Sequence, residues 1–239
     1  MEPTRESLKV KLFADGADLA SMIEMASKPF ISGLTTNPTL MKKSGITDYI
    51  KFAKDVLSEI KDKPVSFEVF SDQLEEMKTQ GKKIASWGEN VYVKVPITNT
   101  RGESTKPVVQ HLAQNGIKVN VTALMTKAQV VGIMEVLNPD VESYVSVFAG
   151  RIADTGRDPM PIMRDCVEML AQNEKSELIW ASPRELLNVF QANEIGCQII
   201  TATNDILKKL ELVGYDLTEY SLDTVKMFFN DAEKAGFTL

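Results

Sequence analysis

Eight short runs alternate apolar and polar positions and are rich in β-branched residues: 11–15, 30–36, 65–70, 91–96, 119–124, 144–148, 177–182 and 197–202. That period of two predicts strands. Between them apolar positions recur every three to four residues, the spacing of a helix with one buried face. In 46–61, Ile50, Ala53, Val56, Leu57 and Ile60 share a side, and 163–172 reads as another such helix. A further helix, 222–235, follows the eighth unit, with Gly236 placed to stop it. Neither a linker nor a low-complexity tract interrupts the series. Eight consecutive βα units predict an α/β fold, a single-domain (β/α)8 TIM barrel over residues 1–239, with 212–239 as a C-terminal extension. An open doubly wound sheet is the competing architecture, but the first strand is not followed by the Gly-x-Gly-x-x-Gly of a dinucleotide site.

In a barrel, alternate strand residues point inward and chemistry sits at the C-terminal strand ends. The third strand sets Val65, Phe67 and Val69 outward, which leaves Ser66, Glu68 and Phe70 inward. The fourth sets Val91, Val93 and Val95 outward against Tyr92 and Lys94. Asn120 and Thr122 on the fifth strand, and Tyr144, Ser146 and Phe148 on the sixth, follow the same rule. The first strand ends at Asp15 and the second in Thr35-Thr36-Asn37-Pro38. The upper inward layer is therefore Asp15, Asn37, Glu68, Lys94, Asn120, Thr122 and Ser146. Barrel interiors are dominated by branched aliphatics, so a polar layer spanning six strands reads as an active site.

Lys94 is its centre. A lysine on a valine-rich strand is costly to desolvate unless it is paired or needed. Desolvation favours the free amine, which can attack a carbonyl to form a Schiff base. On the strand alone, an edge position with the ammonium reaching water is an equal reading. Asp15 and Glu68 supply proton-transfer groups beside it, or else neutralise a structural lysine. Asn37 before Pro38 also fits a turn held extended by the proline. Beyond the strand ends stand Arg151 and Arg184. Ser182-Pro183-Arg184-Glu185 reads as a helix start, with Ser182 as N-cap and Glu185 closing a capping box, and Arg184 adds a fork suited to phosphate. Arg157 and Arg164 read as solvated.

Composition narrows the partners. With 27 basic and 33 acidic residues the net charge is −6, which disfavours nucleic acid and anionic membranes. No stretch is long and apolar enough to span a bilayer, and the first residues carry no apolar signal region. Cys166 and Cys197 form no CxxC pair, and the one histidine, His111, reads as a surface helix position, so neither a disulfide framework nor a metal site is expected. The compartment expected is reducing and cytoplasmic.

The stretches Phe13-Ala14-Asp15, Gly33-Leu34-Thr35-Thr36-Asn37-Pro38-Thr39-Leu40, Val91-Tyr92-Val93-Lys94-Val95-Pro96, Asn120-Val121-Thr122, Ser146-Val147-Phe148-Ala149-Gly150-Arg151-Ile152 and Ala181-Ser182-Pro183-Arg184 resemble the transaldolase family, in its shorter branch. The resemblance implies cofactor-free transfer of a dihydroxyacetone unit from a ketose phosphate to an aldose phosphate, a pentose phosphate pathway step. It implies Lys94 as the Schiff-base lysine, Asp15 as acid/base on the C4 hydroxyl, and Glu68 with Thr122 as the pair that positions a water. Thr35, Asn37, Asn120, Ser146 and Phe148 would bind the substrate, and Arg151, Ser182 and Arg184 its phosphate. Related fructose-6-phosphate aldolases typically have tyrosine at the position of Phe148 and glutamine at that of Glu68; here both side with transaldolase. An aldolase or a non-catalytic sugar-phosphate barrel are the alternatives. The segment 212–239, with Tyr215 and Tyr220, departs from the pattern. In short relatives the last helix packs on a neighbouring subunit, so a homo-oligomer is implied, a pentameric or decameric ring being the form expected.

Overall fold

In the computed structural model, which describes residues 4–238, eight parallel strands close into a barrel in chain order. They are β1 (Lys11–Asp15), β2 (Ile31–Thr35), β3 (Val65–Glu68), β4 (Val91–Pro96), β5 (Val119–Leu124), β6 (Ser143–Val147), β7 (Ser176–Trp180) and β8 (Ile199–Thr203). The last pairs with the first, Lys11 opposite Ile199 and Asp15 opposite Thr203. The helices are α1 (Leu19–Ala26), α2 (Pro38–Lys43), α3 (Tyr49–Glu59), α4 (Leu74–Ala85), α5 (Lys106–Gln114), α6 (Lys127–Met134), α7 (Ala149–Asp154), α8 (Met160–Leu170), α9 (Leu187–Glu194), α10 (Asn204–Lys208) and α11 (Leu217–Ala235). The expected (β/α)8 barrel with an additional C-terminal helix is what the chain forms.

Two apolar layers hold it. Outward valines of β3 to β6, Val65, Val93, Val95, Val119, Val121, Val145 and Val147, are fully buried under the helices. Each such side chain contributes roughly 1.5–3 kcal/mol relative to exposure. Inside the barrel Phe13, Tyr92, Tyr144, Ile179, Ala181 and Ile199 form a separate cluster, with Phe148 packed on its upper side. Tyr92 and Tyr144 stack with ring centroids 4.0 Å apart. Gly33 makes room for this plug, since a Cβ there would lie 2.5 Å from the Phe13 ring. The plug divides the interior into two mouths. The lower, N-terminal mouth opens on a cavity of about 750 Å³, where Lys11 pairs with Glu177 at 2.8 Å and Lys118 with Glu142 at 3.2 Å. Both pairs are part-exposed and screened by solvent, so each contributes about 0–1 kcal/mol. The upper mouth holds the polar layer.

Three local expectations change. Ser182-Pro183-Arg184-Glu185 is not a helix start: α9 begins at Leu187, and the Asn188 Oδ1 accepts the backbone N–H groups of Arg184 and Glu185. Ser182 sits at φ 60°, the left-handed region, which an N-cap does not adopt. Phe70 is not inward, because β3 ends at Glu68; Phe70 is exposed, with its ring 4.4 Å from that of Tyr49. The last helix starts at Leu217 rather than 222, since the Asp216 carboxylate accepts from the N–H groups of Thr218 and Glu219 and caps it there. Gly236, at φ 67°, ends it as expected.

Candidate active site

The upper mouth opens on a cavity of about 460 Å³ lined by Asp15, Thr35, Asn37, Glu68, Lys94, Thr122, Ser146, Phe148, Arg151, Ser182 and Arg184 among others. Strand register makes this convergence. Glu68 on β3 stands beside Lys94 on β4, which stands beside Asn120 on β5. The inward positions therefore form one continuous floor.

Lys94 is buried, with only 6% of its surface exposed. Its Nζ donates to the Thr36 carbonyl at 2.9 Å and lies 3.4 Å from a Glu68 carboxylate oxygen. Both nearby carboxyls are shifted upward. Burial raises the Asp15 pKa more than the Lys94 charge and the Thr35 and Asn37 hydrogen bonds lower it. Burial likewise raises that of Glu68, again against the pull of Lys94. Two carboxyls whose proton affinity burial has raised thus stand near one amine, a combination suited to acid–base steps around a carbonyl.

Asp15 is held by two donors. Thr35 Oγ1 gives a bond of 2.9 Å and Asn37 Nδ2 one of 3.3 Å. Asn37 serves the fold at the same time, since its Oδ1 caps α2 by accepting from the Leu40 N–H. Asn37 thus joins two placements, an extended N-cap before Pro38 and a side chain on the cavity wall. Asn120 lies beneath the cavity rather than on its wall. It is fully buried, donating to Ser66 Oγ at 3.0 Å and accepting from Ser146 Oγ at 2.7 Å. Thr122 Oγ1 is buried without a hydrogen-bond partner among the described residues, an uncommon condition for a hydroxyl and one suited to a bound polar group.

The rim carries the cations. Arg151 projects from α7 and lines the cavity. The Arg184 Nε and Nη2 engage both oxygens of Asp154, while Nη1 donates to Ser182 Oγ at 3.0 Å. That pairing holds the Asp154 carboxyl below its usual range. Gly150 lets the start of α7 cross this loop, because a Cβ would fall 1.5 Å from the Ser182 carbonyl oxygen. Two non-glycine residues on the cavity wall, Ala123 (φ 65°) and Ser182 (φ 60°), occupy the left-handed region. Such strain, about 1–2 kcal/mol each, concentrates at functional sites.

The sequence pattern of the transaldolase/fructose-6-phosphate aldolase family matches residues 12–239. The chain belongs to this family. Among its relatives is a "Probable transaldolase" of Sulfurihydrogenibium sp. (strain YO3AOP1), 35% identical over 90% of this chain and 94% of that protein. A second "Probable transaldolase", from Thermoanaerobacter sp. (strain X514), is 33% identical over 96% of this chain and all of its own length. Among solved structures, the N-acetylneuraminate lyase of Mycoplasma synoviae shares the fold, with a TM-score of 0.53 at 12% identity over 95% of this chain and 81% of that one.

Several groups around this mouth, in a member of the transaldolase/fructose-6-phosphate aldolase family, are not singled out by the sequence pattern. Asp154 falls on α7 with no signal beyond an exposed acid, and only the fold brings it to Arg184. Thr201 shares a short hydroxyl–hydroxyl contact with Thr35, and the alternation Ile199, Thr201, Thr203 on β8 would have placed it inward. The Thr36 carbonyl is a backbone group, which residue types do not reveal. The sequence expectation of solvated Arg157 and Arg164 agrees with their exposure; Cys166 and Cys197 are free and buried.

Proposed function

We propose that this protein is a transaldolase acting through a Schiff base on Lys94. The observation that carries the reading is the buried Lys94 amine at the floor of the upper mouth, between two carboxyls whose pKa values burial has raised. In this reading the amine attacks the C2 carbonyl of a ketose phosphate, and the resulting carbinolamine loses water. Glu68, 3.4 Å from the nitrogen, and the Thr122 hydroxyl hold the water that carries protons in this step. Asp15 takes the proton from the C4 hydroxyl while the C3–C4 bond breaks, and the bonding electrons pass into the iminium. An aldose phosphate leaves and a dihydroxyacetone enamine remains on Lys94. The reverse sequence with a second aldose phosphate as acceptor completes transfer, and hydrolysis frees the lysine.

Thr35, Asn37, Asn120 and Ser146 orient the sugar hydroxyls, directly or through the bonds described above. Arg151, Ser182 and Arg184 hold the phosphate at the rim, where a charge-assisted bond is about twice as strong as a neutral one. Phe148 favours transfer over release, since its ring offers no hydroxyl to protonate the enamine. Sedoheptulose 7-phosphate and fructose 6-phosphate are the donors of this reading, and glyceraldehyde 3-phosphate and erythrose 4-phosphate the acceptors. The place of the reaction is then the pentose phosphate pathway in the cytoplasm. The protein works without a cofactor, as a homo-oligomer joined through α11, in which no residue is buried and Phe228 and Phe229 are exposed. No helix of the described residues is long and apolar enough to cross a membrane. The test is release of glyceraldehyde 3-phosphate from fructose 6-phosphate with and without erythrose 4-phosphate. Acceptor-dependent turnover supports transaldolase, and equal release without acceptor replaces it by the aldolase.

A further inference from the structure

The β2–β3 seam changes partners at its upper end. Below that point the parallel ladder is regular: Leu34 N–H donates to the Pro64 carbonyl, and Thr36 N–H donates to that of Ser66. The next rung of a parallel ladder would run from the Glu68 N–H to the Thr36 carbonyl. Instead the Thr36 carbonyl accepts from Lys94 Nζ at 2.9 Å, and the Glu68 N–H donates to the Tyr49 hydroxyl at 2.8 Å. The same hydroxyl donates to the Glu68 carbonyl at 3.1 Å. A phenol has one hydrogen to give and lone pairs to receive, so one group satisfies both backbone atoms.

We infer that Tyr49 is a positioning residue for the Lys94–Glu68 pair, acting from outside the barrel by replacing a rung of the β2–β3 ladder. The exchange does two things. It frees the Thr36 carbonyl to fix the amine, and it pins the backbone of Glu68 so that its carboxylate stays beside Lys94. Tyr49 is itself held rigidly at the first turn of α3, directly after the cap Asp48. Its ring meets Phe67, Phe70 and Trp87 edge-on at centroid distances of 6.2, 4.4 and 5.6 Å. A supporting group with so little freedom is what a site needs to keep reacting atoms aligned.

The inference rests on the reading of Lys94 as the Schiff-base amine. Tyr49→Phe keeps the ring and its packing and removes only the hydroxyl. The Glu68 N–H then turns to the Thr36 carbonyl and competes with Lys94 for it. Misplacement of the amine should lower kcat for fructose 6-phosphate transfer about 10- to 100-fold. KM should stay within about twofold, because the phosphate end of the site is untouched, and borohydride trapping on Lys94 should slow in parallel with kcat. Trp87→Phe disturbs the same aromatic cluster without removing the hydroxyl and should leave kcat within about twofold. In the unmodified protein, hydrogen exchange at the Glu68 amide should be slow although it closes a strand, which tests the bond even if Tyr49→Phe does not fold. A Tyr49→Phe enzyme with unchanged kcat, an equal kcat loss in Trp87→Phe, or fast exchange at the Glu68 amide overturns the inference. Absence of any trapped adduct on Lys94 in the unmodified protein is a different failure and removes the Schiff-base reading beneath it.

Discussion

Arg184→Ala tests the proposal that the rim binds the substrate phosphate. Of the five N–H groups of its guanidinium, two face Asp154 and one faces Ser182 Oγ, which leaves one on each terminal nitrogen for a ligand. A charge-assisted bond is worth roughly 1.5–3 kcal/mol, but this side chain is 43% exposed and its charge is screened. The lower end applies: about 1.5 kcal/mol, or roughly a tenfold loss in kcat/KM for fructose 6-phosphate. The substitution also strips Asp154 of its partner and leaves a carboxylate facing the phosphate. Arg184→Ala/Asp154→Ala should therefore recover part of the loss, and a double-mutant cycle reads that coupling directly. The assay is kcat/KM on fructose 6-phosphate beside free fructose, which has no phosphate to lose. An equal loss on both sugars would make Arg184 a structural residue of the loop before α9. A double variant no better than the single one would refute the claim that Asp154 opposes the ligand.

Two further substitutions probe the floor. Asp15→Asn should abolish turnover yet stabilise the fold near neutral pH. Burial raises the Asp15 pKa above its unfolded value, so the folded state binds more protons and stability falls as pH rises from about 4 through the folded pKa. The variant's Tm should accordingly decline less over that window, and a Tm lower than that of the parent at pH 7 would contradict the reasoning. Phe148→Tyr adds a phenol at nearly constant volume beside the cavity, so acceptor-independent release of dihydroxyacetone should rise severalfold while transfer falls. Unchanged partition between release and transfer would remove Phe148 from the control of enamine lifetime.

Much of this was legible in the sequence because two periodicities report different things. Alternation in Val91–Pro96 separated buried valines from Lys94, and the same rule carried Glu68, Thr122 and Ser146 to the cavity wall. It failed at Phe70, where the strand had ended and alternation no longer tells inside from outside. It failed again at Ser182, whose capping-box spacing was matched by residues that instead make a left-handed turn closed by Asn188. Contributions made through backbone atoms, such as the Thr36 carbonyl, leave no mark in residue type. Nor do pairings between distant elements, such as Asp154 with Arg184, because their spacing reflects only the closed barrel. Asn120 was assigned to the right layer but not to its depth, since whether a residue lines a cavity or supports it depends on neighbours such as Ser66.

In the proposed mechanism Lys94 carries the three-carbon unit between donor and acceptor. Borohydride reduction in the presence of fructose 6-phosphate, followed by peptide mass mapping, tests it most directly. The unmodified protein should show a reduced dihydroxyacetone adduct on Lys94, whose amount falls as erythrose 4-phosphate is added before the reductant. Lys94→Met, which exchanges a buried amine for a thioether of similar length, should remain folded and carry no adduct. An adduct on another lysine, or turnover by Lys94→Met above background, would contradict the account.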